Sequence, residues 1–210
     1  MPPEQRVSGR IVILALAGLL VIAMIGAYAI HLSNRSRLAL PVLGQVPEFT
    51  FTERSGETFG RRDLMGKISV VDFIFTRCPG ICPIMSGRMS RLYRQFAQHR
   101  EIQFVSISVD PDYDSLPVLR AYAERQGVTD NRWLFLRGPI DEVIQLSEKG
   151  FMLPLDEPPA GHSSKFVLVD AAGQIRGYYA SDADDSQLLL QYHLMALSGS
   201  LRRRRPASPS

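Results

Sequence analysis

Two short stretches of this chain, 68–75 and 102–109, are apolar or β-branched at most positions. Runs of that length and composition read as buried strands. Between them the pattern changes. Met85, Met89, Leu92 and Phe96 recur at spacings of four, three and four, which is the period of one helix face. A helix over 83–98 therefore links the two strands. Asp110-Pro111 stops the second strand, and Asp114 is placed to cap a helix with Pro117 in its first turns and Gly127 as its stop. Trp133–Leu136 reads as a third strand. Gly138-Pro139 then opens a helix that carries Asp141 and Glu142 in its first turn and closes at Gly150. A proline-bearing loop, 154–164, holds His162. A hairpin follows, 165–169 and 174–179 across Ala172-Gly173. The last helix spans about 184–198, with Leu188, Leu189, Tyr192 and Met195 as its apolar face. Upstream, Phe49-Thr-Phe-Thr and Thr58-Phe59 form a short hairpin around Ser55-Gly56-Glu57, expected to cover one edge of the sheet.

From residue 68 onward the order is β-α-β-α-β-α-β-β-α, which gives a mixed sheet flanked by helices. Its first strand-to-helix turn holds the two cysteines of the chain, Cys78 and Cys82. Thiolates at a helix start meet the positive end of the dipole and backbone N–H groups, which lowers a thiol pKa. Pro79 and Pro83 each follow a cysteine. Pro83 is tolerated best at the first helical position, so 78–82 reads as a turn with Cys82 as the cap. Four helical residues rise about 6 Å, within the Cα range that a disulfide accepts, and two such thiols can also share one metal ion. Redox and metal chemistry both stay open. A plain structural disulfide is the bland alternative, but so small a loop stabilises a chain little. A dithiol at this turn of such a sheet points to a thioredoxin-like α/β fold.

Length and charge add the setting. A chain of 210 residues has room for one domain plus appendages. The formal charge is +3, and four arginines sit together at 202–205, so the body carries no basic surplus of the kind that nucleic acid selects. Positions 11–30 are apolar or glycine throughout. At 1.5 Å per residue they cover about 30 Å, the thickness of a bilayer core. The expected organisation is a short cytoplasmic segment 1–10, a transmembrane anchor 11–30, a tether 31–45, a folded domain 46–198 and a basic Ser/Pro tail 199–210. The competing reading is a cleaved signal peptide, since Ala27-Tyr28-Ala29 has the small-x-small pattern. With so short a segment ahead of the span, the domain is expected on the periplasmic side of the inner membrane, where a dithiol can be oxidised.

The stretch Phe75-Thr76-Arg77-Cys78-Pro79-Gly80-Ile81-Cys82-Pro83, with Ser108-Val109-Asp110-Pro111, His162-Ser163 and Leu168-Val169-Asp170, resembles the Sco/SenC family across about 46–198. Members are thioredoxin-fold proteins tied to assembly of the copper centre of cytochrome c oxidase. The resemblance implies one copper ion on Cys78, Cys82 and His162, with a copper-receiving oxidase subunit or another thiol protein as partner. It also suggests a supporting role for Asp110. Residue chemistry agrees: thiolates are soft ligands that suit Cu(I), and imidazole adds affinity for Cu(II). The chain departs from the family at Gly80, at Ile74 and at Pro158-Pro159-Ala160-Gly161, and these positions bear on partner choice rather than on the three donors.

Two functions from different classes follow. One is a copper chaperone. The other is a membrane-tethered thiol–disulfide oxidoreductase in which Cys78 and Cys82 are catalytic, with one attacking and the other resolving. A peroxide-reducing enzyme is a weaker third. Bland readings stand beside the rest. A histidine in a loop commonly holds a carbonyl or water, and His31, His99 and His193 carry no pattern. Met85 and Met89 fit a core better than a copper site. Asp110 and Asp114 fit a strand-end turn and a cap. The arginine run is a solvated tail or a contact with acidic lipid heads.

Overall fold

A computed structural model gives the architecture and describes residues 14, 16–28, 40–156, 158–159 and 161–204, without the side chains of residues 156, 162 and 204. Residues 16–28 are helical with exposed side chains. Among the described residues no helix is long and apolar enough to cross a membrane. Both ends of the expected span 11–30, and 31–39 of the expected tether, lie outside the described residues. Residues 41–210 form a compact unit of their own.

That unit is built on one eight-stranded sheet. Its strands are β1 (Gly44–Gln45), β2 (Thr50–Glu53), β3 (Thr58–Gly60), β4 (Ile68–Ile74), β5 (Ile102–Ser108), β6 (Trp133–Arg137), β9 (Lys165–Val169) and β10 (Gln174–Ala180). They lie in the order β1-β10-β9-β4-β5-β6-β2-β3. The strands β4, β5 and β6 run parallel, and β9 is antiparallel to β4. Both parallel connections need crossovers, supplied by α2 (Cys82–Gln95) and α3 (Leu116–Arg125). Every residue of β4 and β5 is buried, as expected of central parallel strands covered on both faces. The β2–β3 hairpin closes one edge as expected, turning through Gly56 at a φ of 101° that favours glycine. The β9–β10 hairpin likewise turns through Gly173 at 73°.

The predicted face of α2 is the core face. Met85, Met89, Leu92 and Phe96 are all buried, and side chains of this size each stabilise a fold by roughly 1.5–3 kcal/mol. The helix over 140–150 begins after Pro139 as expected. It runs as α4 (Ile140–Gln145) and then widens into a π-helical turn, Leu146–Gly150.

Several expectations are corrected. Asp114 does not cap α3. Ser115 holds the cap position, and Asp114 turns inward and is fully buried. The loop 154–164 contains a small hairpin, β7 (Leu155–Asp156) paired with β8 (Gly161–His162). A short helix, α1 (Arg61–Leu64), follows β3, with the Asp63 carboxylate accepting from the Gly60 N–H at 2.7 Å. The last helix, α5 (Asp184–Arg204), is longer than expected and faces the other way. It buries Leu190 and Leu194, while Leu188, Leu189, Tyr192 and Met195 are exposed.

Candidate metal and thiol centre

The strand β4 delivers the chain to the cysteines. Its partner β5 stays in register with it to the Ile74–Ser108 pair, and Val109 N–H then donates to the Ile74 carbonyl at 2.8 Å. The turn over 76–81 follows, and α2 starts at Cys82, one residue earlier than expected, with Ile81 at the cap and Pro83 in the first turn. A proline there forfeits nothing, because the first N–H groups of a helix have no partner within it.

The two cysteines are not joined in a disulfide, and they differ in character. Cys78 is partly exposed and Cys82 is buried. Burial pushes the Cys78 thiol up, but the N–H groups of Cys82, Gly80 and Ile81 and the Cys82 thiol all turn to its sulfur, so its pKa falls below the usual thiol value. Burial pushes the Cys82 thiol well up. The Phe75 N–H opposes this, while Cys78 and Asp72 reinforce it. One sulfur is thus a partly exposed thiol of lowered pKa at a helix start and the other a buried thiol hydrogen-bonded to it.

Three buried carboxylates flank the turn, and sequence reading missed the roles of two, Asp114 and Asp72. Asp114 accepts from the Thr76 N–H at 3.2 Å, the Thr76 hydroxyl at 2.5 Å and the Ser108 hydroxyl at 2.6 Å. It therefore ties the residue two before Cys78 to the end of β5. Asp110 lies beside it, and its carboxylate accepts from Arg77 Nε at 2.8 Å while the guanidinium lies 4.6 Å over the Tyr113 ring. Asp110 thus acts on the residue next to Cys78.

The third carboxylate is Asp72, inside β4 and fully buried. Ser106 donates to its Oδ1 at 2.7 Å and receives the Trp133 indole N–H at 3.0 Å. Among the described residues its Oδ2 has no hydrogen-bond partner. Burial pushes the Asp72 pKa up to about 7, with Ser106 pulling only weakly the other way. A charged residue within a fully buried run has to be paired or neutral. That rule was the signal available in the sequence at position 72.

His162 sits in β8, where its backbone pairs with Leu155. β9 runs antiparallel to β4, so the chain just ahead of β9 lies toward the end of β4 that carries the cysteine turn. The His162 side chain is outside the described residues. Among the described residues no group of three or more His, Cys, Asp or Glu gathers to hold a metal ion, and the donors that come together are the two thiols. Met85 and Met89 are core. His99 and His193 have structural neighbours instead, Glu101 with Ser198 and Tyr179. Two adjacent sulfurs with backbone N–H support form a soft, anion-stabilising donor pair that fits copper(I), and the same pair fits thiol–disulfide exchange.

A mixed sheet that carries a dithiol at the turn from β4 into α2 defines a thioredoxin-fold thiol protein. Comparison with known proteins narrows this: the SCO1/SenC family model matches residues 43–195, and the chain belongs to that family. It is 30% identical over 141 residues to the "SCO1 protein homolog" of Bacillus subtilis, covering 64% of this chain and 73% of that protein. It is also 30% identical over 189 residues to a Stutzerimonas stutzeri protein named "Putative copper-binding protein", covering 85% of this chain and 89% of that one. Among solved structures it matches BsSco, described as having a disulfide switch and as a member of the Sco family of cytochrome c oxidase assembly proteins. There the TM-score is 0.67 at 27% identity, with 76% of this chain and 98% of the other covered.

Proposed function

We propose that the chain is a membrane-anchored copper-binding protein that assists metallation of the cytochrome c oxidase copper centre, with Cys78, Cys82 and His162 as copper donors. The observation that carries this reading is the pair of thiols held sulfur to sulfur at the start of α2, in a chain of the SCO1/SenC family. The Stutzerimonas relative's name and the description of BsSco point the same way. Copper here is cargo. Cys78, the partly exposed and more acidic thiol, meets an arriving ion first, Cys82 gives up its proton to add a second sulfur, and His162 completes a trigonal set with room for a fourth ligand from the recipient. Residues 11–30 serve as a single-pass anchor in the inner membrane, with the domain on the periplasmic side. The test is an anaerobic copper(I) titration of the reduced protein. The expectation is one ion per chain, with weaker binding in His162→Ala and loss of the site in Cys78→Ser. Binding in His162→Ala equal to wild type would remove His162 from the donor set.

The unequal thiols also support a second reading, reduction of a partner's disulfide. The Cys78 thiolate would attack one partner sulfur and release the other as a thiol. Cys82 would then attack Cys78 and release the second, leaving the partner dithiol and a Cys78–Cys82 disulfide. Cys82→Ser should then accumulate a mixed disulfide through Cys78. A Cys82→Ser protein that traps no partner in either redox state would count against exchange.

A further inference from the structure

The last helix leaves an apolar row outside the fold. Leu190 and Leu194 of α5 are buried, and the helix packs against β10 and β4. Leu188, Tyr192 and Met195 are 66%, 57% and 53% exposed, and Leu189 is exposed beside them. At 100° per residue, positions 188, 192, 195, 199 and 203 fall within an arc of about 80°. The row therefore runs from Leu188 past Gly199 to Arg203, whose Nη1 lies 3.5 Å from the place of a Gly199 Cβ. Arg202 is spent on Glu101 at 2.7 Å, but Arg203 is exposed, and Arg204 and Arg205 follow it. The acidic first turn, Asp184 and Asp185, is at the far end, and Asp184 is paired with Arg88 at 2.7 Å.

The arginines that close this row select an anionic partner. The chain enters the domain through exposed Val42 and Leu43 into β1, and β1 pairs with β10, a strand on which α5 packs. β1, through which the described chain enters the sheet, and α5 thus share β10 as a neighbour. We propose that the outer row of α5 docks on the anionic headgroup layer of the membrane, with Leu188, Tyr192 and Met195 at the acyl boundary and Arg203 with its following arginines on lipid phosphates. The proposal rests on reading the chain as membrane-anchored through 11–30. A second copy of the chain fits less well. An antiparallel α5 pair would set three arginines against Asp185 alone, since Asp184 already has its cation.

The test uses segment 41–210, a compact unit that contains the whole core. It is mixed with vesicles of phosphatidylcholine alone, or of phosphatidylcholine with phosphatidylglycerol, and bound protein is sedimented. Binding to the anionic vesicles should be at least about tenfold tighter than to the neutral ones and should weaken as salt is added. Leu188→Glu with Tyr192→Glu, and separately Arg203→Glu with Arg204→Glu, should each lower it by about tenfold or more. Copper titration of the same variants should match wild type, since none of these residues lies at the cysteine turn. Equal binding to both vesicles, or none, overturns the proposal, and this comparison needs no variant. So does a concentration-dependent dimer that Tyr192→Glu dissolves and that ignores lipid. Alkaline extraction of the full chain from membranes reads the anchor separately, so the two ideas can fail independently.

Discussion

The two sides of the cysteine turn each contain a buried aspartate, and the two are handled in opposite ways. On the β5 side, Asp114 has its oxygens filled by Thr76 and Ser108, so the carboxylate serves as a fastener. On the core side, Asp72 has one oxygen bonded to Ser106 and the other without a partner among the described residues, and its pKa is pushed up to about 7. A satisfied buried carboxylate fixes geometry, whereas a half-satisfied one stores a proton that burial makes hard to release. The turn therefore rests on a rigid side and a side whose charge is adjustable near neutral pH.

The largest expected effect comes from the adjustable side. The folded pKa of Asp72 lies above its unfolded value of 3.8, so between about pH 4 and pH 7 the native protein binds more protons than the unfolded chain. Stability from this group is therefore present at acid pH and is lost as pH rises through about 7. Urea unfolding of the reduced protein should show Asp72→Asn gaining on wild type as pH rises from about 4 to 8, by at most about 4 kcal/mol. A wild-type minus variant difference that stays flat from pH 5 to pH 8 would sink the assignment.

Next is the fastener. Asp114→Ala strands the Thr76 N–H and the hydroxyls of Thr76 and Ser108, and it should cost about 3 kcal/mol. A cost under about 1 kcal/mol would erase the contrast between the two sides. The smallest effect belongs to the rim. Arg77 is half exposed, so its ion pair with Asp110 is screened and its contact with Tyr113 adds little. Arg77→Ala should cost under about 1 kcal/mol, which thermal unfolding can resolve, and the cost should shrink in high salt.

Much of this was legible in the sequence, for local reasons. The strand into the turn, the buried face of α2 and the helix start were readable from an apolar run, one periodic stripe and Pro83. The copper and thiol reading depended on the Cys78 and Cys82 spacing together with a family resemblance. The rest depends on contacts distant in sequence. Asp114 bonds to Thr76 across 38 positions, so a local reading made it a helix cap. Asp72 passed as one polar position in an apolar run. α5 is apolar on so many sides, at 188, 189, 190, 192, 194, 195 and 197, that periodicity could not choose which stripe faces the sheet. β7 and β8 have two residues each, too few for any alternation to show.

The pairing of β4 has a mechanical consequence. Its ladder with β5 continues to Ile74, whereas its ladder with β9 ends at the Val71–Val167 pair, three residues sooner. The cysteine turn is therefore stitched along one margin, where Asp114 adds a rivet, and the seam on the margin toward His162 stops short. A flap sewn on one side swings about its stitched edge. Work done by joining or parting the two sulfurs is thus steered toward the β9 margin, where the chain carrying His162 approaches, while the parallel strands behind the hinge keep their register.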